Sequence, residues 1–143
     1  MQIKVKKLDE RAILPTKGTA MAAGMDLYAL DGVTVAAGET VLVHTGIALA
    51  IPEGYAGFIY ARSGIATKRG LAPANKVGVV DADYRGEIMV ALHNHSEKTE
   101  TVEPGERVAQ MVVAPFLPVE LLLSETLDET ERSTGGFGST GRL

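Results

Sequence analysis

The tightest constraint in this sequence is the near absence of a helical period: apolar residues come in short runs, each cut off by turn formers. The runs Ile3 to Lys6, Thr40 to His44, Tyr55 to Ala61, Val77 to Val80, Glu87 to Leu92, Arg107 to Val113 and Val119 to Leu123 are predicted strands. Between them lie Asp31-Gly32, Ala37-Gly38, Pro52-Glu53-Gly54 and Glu103-Pro104-Gly105, at spacings typical of sandwiches and barrels. An all-β fold follows. One segment departs from it, because Ser63 could cap a turn or two of helix reaching Arg69. Gly64 and the β-branched Ile65 and Thr67 keep that helix short. At 143 residues the chain is expected to form one domain with a self-sufficient core.

Several function classes fall away on composition. The chain has no Cys, which excludes disulfides, thiolate zinc sites and a Cys nucleophile and suits a reducing compartment, so a cytoplasmic location is expected. Nowhere do roughly 18 apolar residues run uninterrupted, so neither a membrane span nor export is expected. A net charge of −4, with 14 Lys and Arg scattered among 18 acids, leaves no basic face for nucleic acid. A polyanionic ligand would need a local basic pocket.

Organisation changes once, dividing a folded domain over 1–127 from an arm over 128–143. The arm has Arg132, one aromatic ring at Phe137, glycines and hydroxyl residues, with too little apolar surface to fold on itself. Such segments are more often frayed ends than sites. This composition also suits a nucleotide lid, with backbone N–H groups and hydroxyls for phosphate, an Arg for charge and a ring for stacking. Gly136 to Gly141 spells G-x-G-x-x-G, but only two residues follow to form the helix on which a dinucleotide site depends, so that reading is rejected.

Four internal segments are further candidates, each with an ordinary structural explanation. Asp81-Ala82-Asp83-Tyr84-Arg85-Gly86 reads as a hairpin tip; Val79 and Val80 lead into Asp81, so its carboxylate leaves a buried strand where it can orient a water, with the Tyr84 ring beside it. Ala61-Arg62-Ser63-Gly64 sets an Arg and a small hydroxyl at a strand end, opening a helix whose N–H groups could receive phosphate. Ala23 to Tyr28 holds an acid, Asp26, inside an apolar strand, where it could pair with a neighbouring Arg. Gly105 to Gln110 is a turn leading into a core strand, with Gln110 able to bond a ladder edge. His93 and His95 make at most half a metal site. Asn94-His95-Ser96 is a glycosylation sequon only in a secreted chain.

Taken together and in order, Ala23 to Tyr28, Arg62 to Ala66, Gly78 to Ile88, Gly105 to Gln110 and Arg132 to Gly141 resemble the five motifs of the trimeric dUTP diphosphatase (dUTPase) family, across almost the whole chain. The resemblance implies a jelly-roll-like β-barrel and a homotrimer with three sites at subunit boundaries, each closed by a flexible C-terminal arm. An extended arm of this length reaches roughly 50 Å, enough to cross to a neighbour. The implied reaction is hydrolysis of dUTP to dUMP and diphosphate by water attack at the α-phosphorus, with Asp81 as general base and Mg²⁺ carried by phosphates and water without a protein ligand. Such an enzyme limits uracil in DNA and supplies dUMP for dTMP synthesis.

By the same resemblance, Asp26 acts near the ion or holds Arg62 in place, and Ser63 and Gly64 meet the phosphates. Asn75, Gly78 and the backbone beside them read the uracil edge. Tyr84 packs on the sugar's C2′ face, excluding ribose, while Val79, Val80 and Met89 wall out the thymine methyl. A site that hydrogen-bonds uracil rejects cytosine by roughly 10⁴-fold, since buried groups would be left unpaired. Phe137 stacks on the base, and Gln110, Arg132, Gly138, Ser139 and Thr140 serve the outer phosphates. Ser133 stands where the family usually has Gly after the arm's Arg. The rival readings are a dCTP deaminase of the same architecture, against which the Asp81 and Tyr84 hairpin and the Gly-rich arm argue, and a non-catalytic nucleotide sensor, against which the intact Asp81 and Arg132 argue.

Overall fold

The computed structural model describes residues 1–142. Its strands are β1 (Lys4–Lys7), β2 (Met25–Tyr28), β3 (Val33–Val35), β4 (Thr40–Ala50), β5 (Tyr55–Tyr60), β6 (Leu71–Pro73), β7 (Gly78–Val80), β8 (Glu87–Asn94), β9 (Glu100–Val102) and β10 (Arg107–Pro115), with one helix, α1 (Ser63–Arg69). They form two four-stranded sheets, β1-β4-β8-β6 and β2-β10-β5-β7, and a two-stranded β3-β9 ribbon. All the ladders are antiparallel. The fold is jelly-roll-like, and the two large sheets share no ladder.

Strict alternation on β8 shows how the core forms. Ile88, Val90, Leu92 and Asn94 point inward while Glu87, Met89, Ala91 and His93 point away. Ile88, Val90 and Leu92 join Val43, Ile47 and Leu49 of β4, and from the opposite sheet Leu27, Ile59, Val80, Val108 and Met111. On the inward face of β8, Asn94 is the polar exception. Its amide nitrogen donates to the carbonyls of Val35 and Lys98, and its oxygen accepts from the Ser96 amide and hydroxyl. A side chain buried and bonded in this way is no glycan acceptor.

Strand β4 carries a bulge between His44 and Ala48. Gly46 sits there at φ 70°, and a Cβ would lie 3.0 Å from that of Ala12 and 3.2 Å from Leu30 Cδ1, so only glycine fits. The helix is as short as expected, but Ser63 does not cap it. Arg62 occupies the cap position in extended conformation without a side-chain cap bond, and Ser63 is the first helical residue. Gly70, left-handed at φ 66°, ends the helix. Arg69 anchors that end on Glu100, Glu106 and the Thr101 carbonyl. Partial burial opposes its charge, but the two carboxylates prevail and raise the guanidinium pKa.

Two further expectations fail. Val119 to Leu123 forms no strand, and its leucines stand 92, 91 and 99% exposed, because beyond β10 the described chain offers nothing to cover them. The Asp81 turn is not a hairpin tip either, since β7 pairs with β5 in one sheet and β8 with β4 and β6 in the other. No helix among the described residues is long and apolar enough to cross a membrane.

Candidate active site

Residues 81 to 86 carry the chain from one sheet to the other, and local bonds hold them in shape. The Tyr84 amide donates to the Asp81 carbonyl at 3.1 Å, closing the turn. The Tyr84 hydroxyl donates to the Glu87 carbonyl at 2.8 Å, with the ring so close over Gly86 that a Cβ there would collide with it. Arg85 folds back onto the carbonyls of Ala82 and Tyr84 at 2.6 and 3.0 Å. Asp81 itself is exposed, and its carboxylate accepts no hydrogen bond from the described residues. Val80 is buried as expected; Val79 is not, at 61% exposed, because it lies on the outward face of a three-residue strand.

A cleft of about 310 Å³ opens beside this turn and brings together Asn75, Gly78, Val79, Val80, Asp81, Tyr84 and Met89. Strand β7 ends its sheet, bonded to β5 on one side only, so its other edge presents unpaired N–H and C=O groups. Asn75 precedes it in a tight turn, where the Val77 amide donates to the Asn75 carbonyl at 2.7 Å and Lys76 is forced to φ 63°. The Asn75 amide nitrogen lies 3.4 Å from where a Gly78 Cβ would be. Leu42, Ile59, Glu87, Ile88 and Ala91 complete the lining, and none was singled out as a site residue from the sequence. The available signal was Leu42 paired with Ala91 across β4 and β8, apolar on faces where alternation predicts polar residues.

A second cluster lies elsewhere. In register across the β2, β10 and β5 strands, Gln110 faces Asp26 on one side and Tyr60 on the other. Arg62 donates from Nε to Asp26 Oδ1 at 2.8 Å, so the acid inside β2 does meet an arginine. Arg107, another residue the sequence reading passed over, reaches Asp26 Oδ2 at 3.5 Å. Gln110 donates to the Ala61 carbonyl at 2.9 Å, and its side chain fills the space a Cβ at Gly24 would need. Ser63 and Gly64 are exposed at the helix start. Asp81 follows Val80, whose register partner is Gly57, so Arg62 is at least five residues of chain away. The turn thus lies beside the start of β5, and Arg62 follows that strand's end. The cleft beside Asp81 is lined by neither Asp26 nor Arg62.

Nor is the arm brought to either cluster. Arg132 donates to the Gly135 carbonyl at 2.7 Å, and Phe137 is wholly exposed. Ser133 and Phe137 take left-handed φ values of 48° and 51°. The His93 and His95 rings meet edge to face at 4.5 Å, each with Nδ1 engaged, on the Thr40 hydroxyl and on the Gly70 carbonyl. Among the described residues no group of three or more acids or histidines could hold a metal.

A family model described as dUTPase matches residues 10–141. The deoxyuridine 5'-triphosphate nucleotidohydrolase of Hydrogenobaculum sp. (strain Y04AAS1) is 51% identical over 142 residues, covering 99% of each chain. That of Syntrophotalea carbinolica is 50% identical over 141 residues, covering 97% of this chain and 96% of its own. Among solved structures, the Staphylococcus bacteriophage 80alpha dUTPase with dUpNHpp superposes with a TM-score of 0.93 at 28% identity, covering 99% of both chains.

Proposed function

The chain belongs to the dUTPase family and is a dUTP diphosphatase, and from that premise we propose how its residues divide the work. Uracil enters the cleft beside β7 and pairs its polar edge with the unpaired strand edge and the Asn75 amide. Tyr84 packs on the deoxyribose, and the walls of Val79, Val80 and Met89 exclude a 5-methyl group. The α-phosphorus then lies near Asp81. The carboxylate takes a proton from a water as that oxygen bonds to phosphorus and the bond to the bridging oxygen breaks, giving dUMP and diphosphate. The observation that carries this reading is the meeting, in one cleft, of an open strand edge, Asn75 and an unengaged Asp81 carboxylate.

Ser63, Gly64 and Gln110 are assigned to phosphate oxygens, with Arg62 beside them, held by Asp26. Mg²⁺ fits this donor set only as an ion carried by the substrate. The described residues offer no ligand cluster, and both Asp26 oxygens are already engaged by Arg62 and Arg107. When bound it neutralises phosphate charge. Chelation is therefore expected to stop turnover without unfolding the protein, which calorimetry checks.

Two observations support a homotrimer. The Asp81 cleft and the Arg62 cluster lie by opposite ends of β5, and the cleft lining includes no Arg62, so a site takes the two halves from different copies. The exposed leucines of 121 to 123 also need a neighbour to cover them. The segment 128–143 acts as a separate arm and closes a site on another copy, stacking Phe137 on the base and bringing Arg132, Gly138, Ser139 and Thr140 to the outer phosphates. The cytoplasm, where such an enzyme keeps uracil out of DNA and supplies dUMP for dTMP synthesis, is the proposed location.

Diphosphate release from dUTP, dCTP, dTTP and UTP is the primary test, with dUTP expected to lead by orders of magnitude. In labelled water the new oxygen must appear in dUMP; its appearance in the diphosphate would overturn the attack at the α-phosphorus.

A further inference from the structure

We infer that Glu87 is a positioning residue for the Tyr84 ring, clamping the base of the substrate loop to the bulge of β4. The inference rests on the proposed contact between Tyr84 and the sugar. Its ground is that three successive bulge residues each grip the start of β8. The His44 ring nitrogen meets Glu87 Oε2 at 2.9 Å, the Thr45 hydroxyl donates to the Ile88 carbonyl at 2.5 Å, and the Gly46 amide donates to Glu87 Oε1 at 2.9 Å.

The bulge is itself fixed from behind. The His44 carbonyl accepts the Leu30 amide at 2.8 Å, and the Gly46 carbonyl accepts the Leu8 amide at 2.7 Å. Glu87 thus works at both ends. Its carboxylate is bound to a bulge of β4 that is itself bonded to Leu8 and Leu30, and its main-chain carbonyl receives the Tyr84 hydroxyl at 2.8 Å. The side chain is only 22% exposed, so water competes weakly for these bonds. A carbonyl held from its own side chain gives the tyrosine a fixed partner, and the ring can then exclude a 2′-hydroxyl by position. Removing the carboxylate leaves the Gly46 amide unpaired and frees the strand end that carries that carbonyl.

The experiment compares kcat/KM for dUTP and UTP in the parent, Glu87→Ala and Glu87→Gln. In Glu87→Ala the dUTP preference is expected to fall about tenfold, mostly through a lower KM for UTP and a higher one for dUTP, with kcat changed far less. In Glu87→Gln the amide oxygen can still accept from Gly46, so most of the preference should return. His44→Phe, which removes the outer contact and leaves the Gly46 bond, should give an intermediate loss. A Glu87→Ala protein that melts earlier yet keeps the parent's dUTP preference would make Glu87 structural only and overturn the inference. A parent that does not distinguish dUTP from UTP would instead overturn the sugar contact assigned to Tyr84.

Discussion

The turn from Asp81 to Gly86 and the arm from Arg132 to Gly141 are stitched alike, by hydrogen bonds between residues about three apart in sequence. They differ in what bounds them. The turn leaves β7, laddered to β5, and enters β8, which is laddered to β4 and β6, so its few local bonds only finish a shape already imposed from both sides. The arm follows a stretch without ladders, and the same kind of bond leaves Phe137 in solvent. Local bonds select among conformations; they do not anchor a segment, because ordering each residue costs roughly 1–2 kcal/mol that only burial or a ligand offsets. One part of the proposed site is therefore formed before substrate arrives, and the other is completed by it.

Substitutions can break this contrast. Asp81→Asn should lower turnover by about 10³-fold while dUTP still binds, because the turn keeps its shape without the carboxylate. Loss of binding, measured by calorimetry with a non-hydrolysable analogue, would mean the turn is not preformed. Removing residues 131–143 should lower kcat/KM by about 10²-fold and leave the oligomer intact by light scattering. Dissociation of the copies would show that the arm serves assembly and not closure. Phe137→Ala should raise KM about tenfold, the weight of one base stack. The smallest effect is expected from Ser133→Gly. Ser133 holds φ 48°, a region costly for a side chain, so glycine should ease closure and lower KM by about threefold. An unchanged KM would mean that the closed arm uses another backbone shape there.

Much of this was legible in residues alone. The runs at Thr40, Tyr55, Glu87 and Arg107 became β4, β5, β8 and β10, because long alternating runs carry their own evidence. The ribbon strands β3 and β9 and the edge strand β6 were passed over; three residues are too few to show a period. The Asp81 turn was misread as a hairpin for a different reason. Two strands adjacent in sequence usually pair, but nothing in Gly78 to Val80 says that its ladder partner is Phe58 and not Met89. The apolar run at Val119 was read as a strand, but with no ladder partner among the described residues it forms none. Asp26 could be placed beside an arginine, yet not beside two, since Arg107 comes near only through a register shift in β10. Glu87 looked like one more exposed charge on an alternating strand, and its grip on Gly46 depends on a bulge that no local pattern announces.

The placement of the Asp81 and Arg62 clusters by opposite ends of β5 has a consequence for inheritance. If each site of a threefold ring draws one cluster from each of two neighbours, an allele lacking the carboxylate and an allele lacking the guanidinium are not equivalent defects. Each homotrimer is dead, but any mixed ring contains one junction at which the sound halves meet. Two such alleles in one cell would complement each other, whereas two lesions in the same cluster would not.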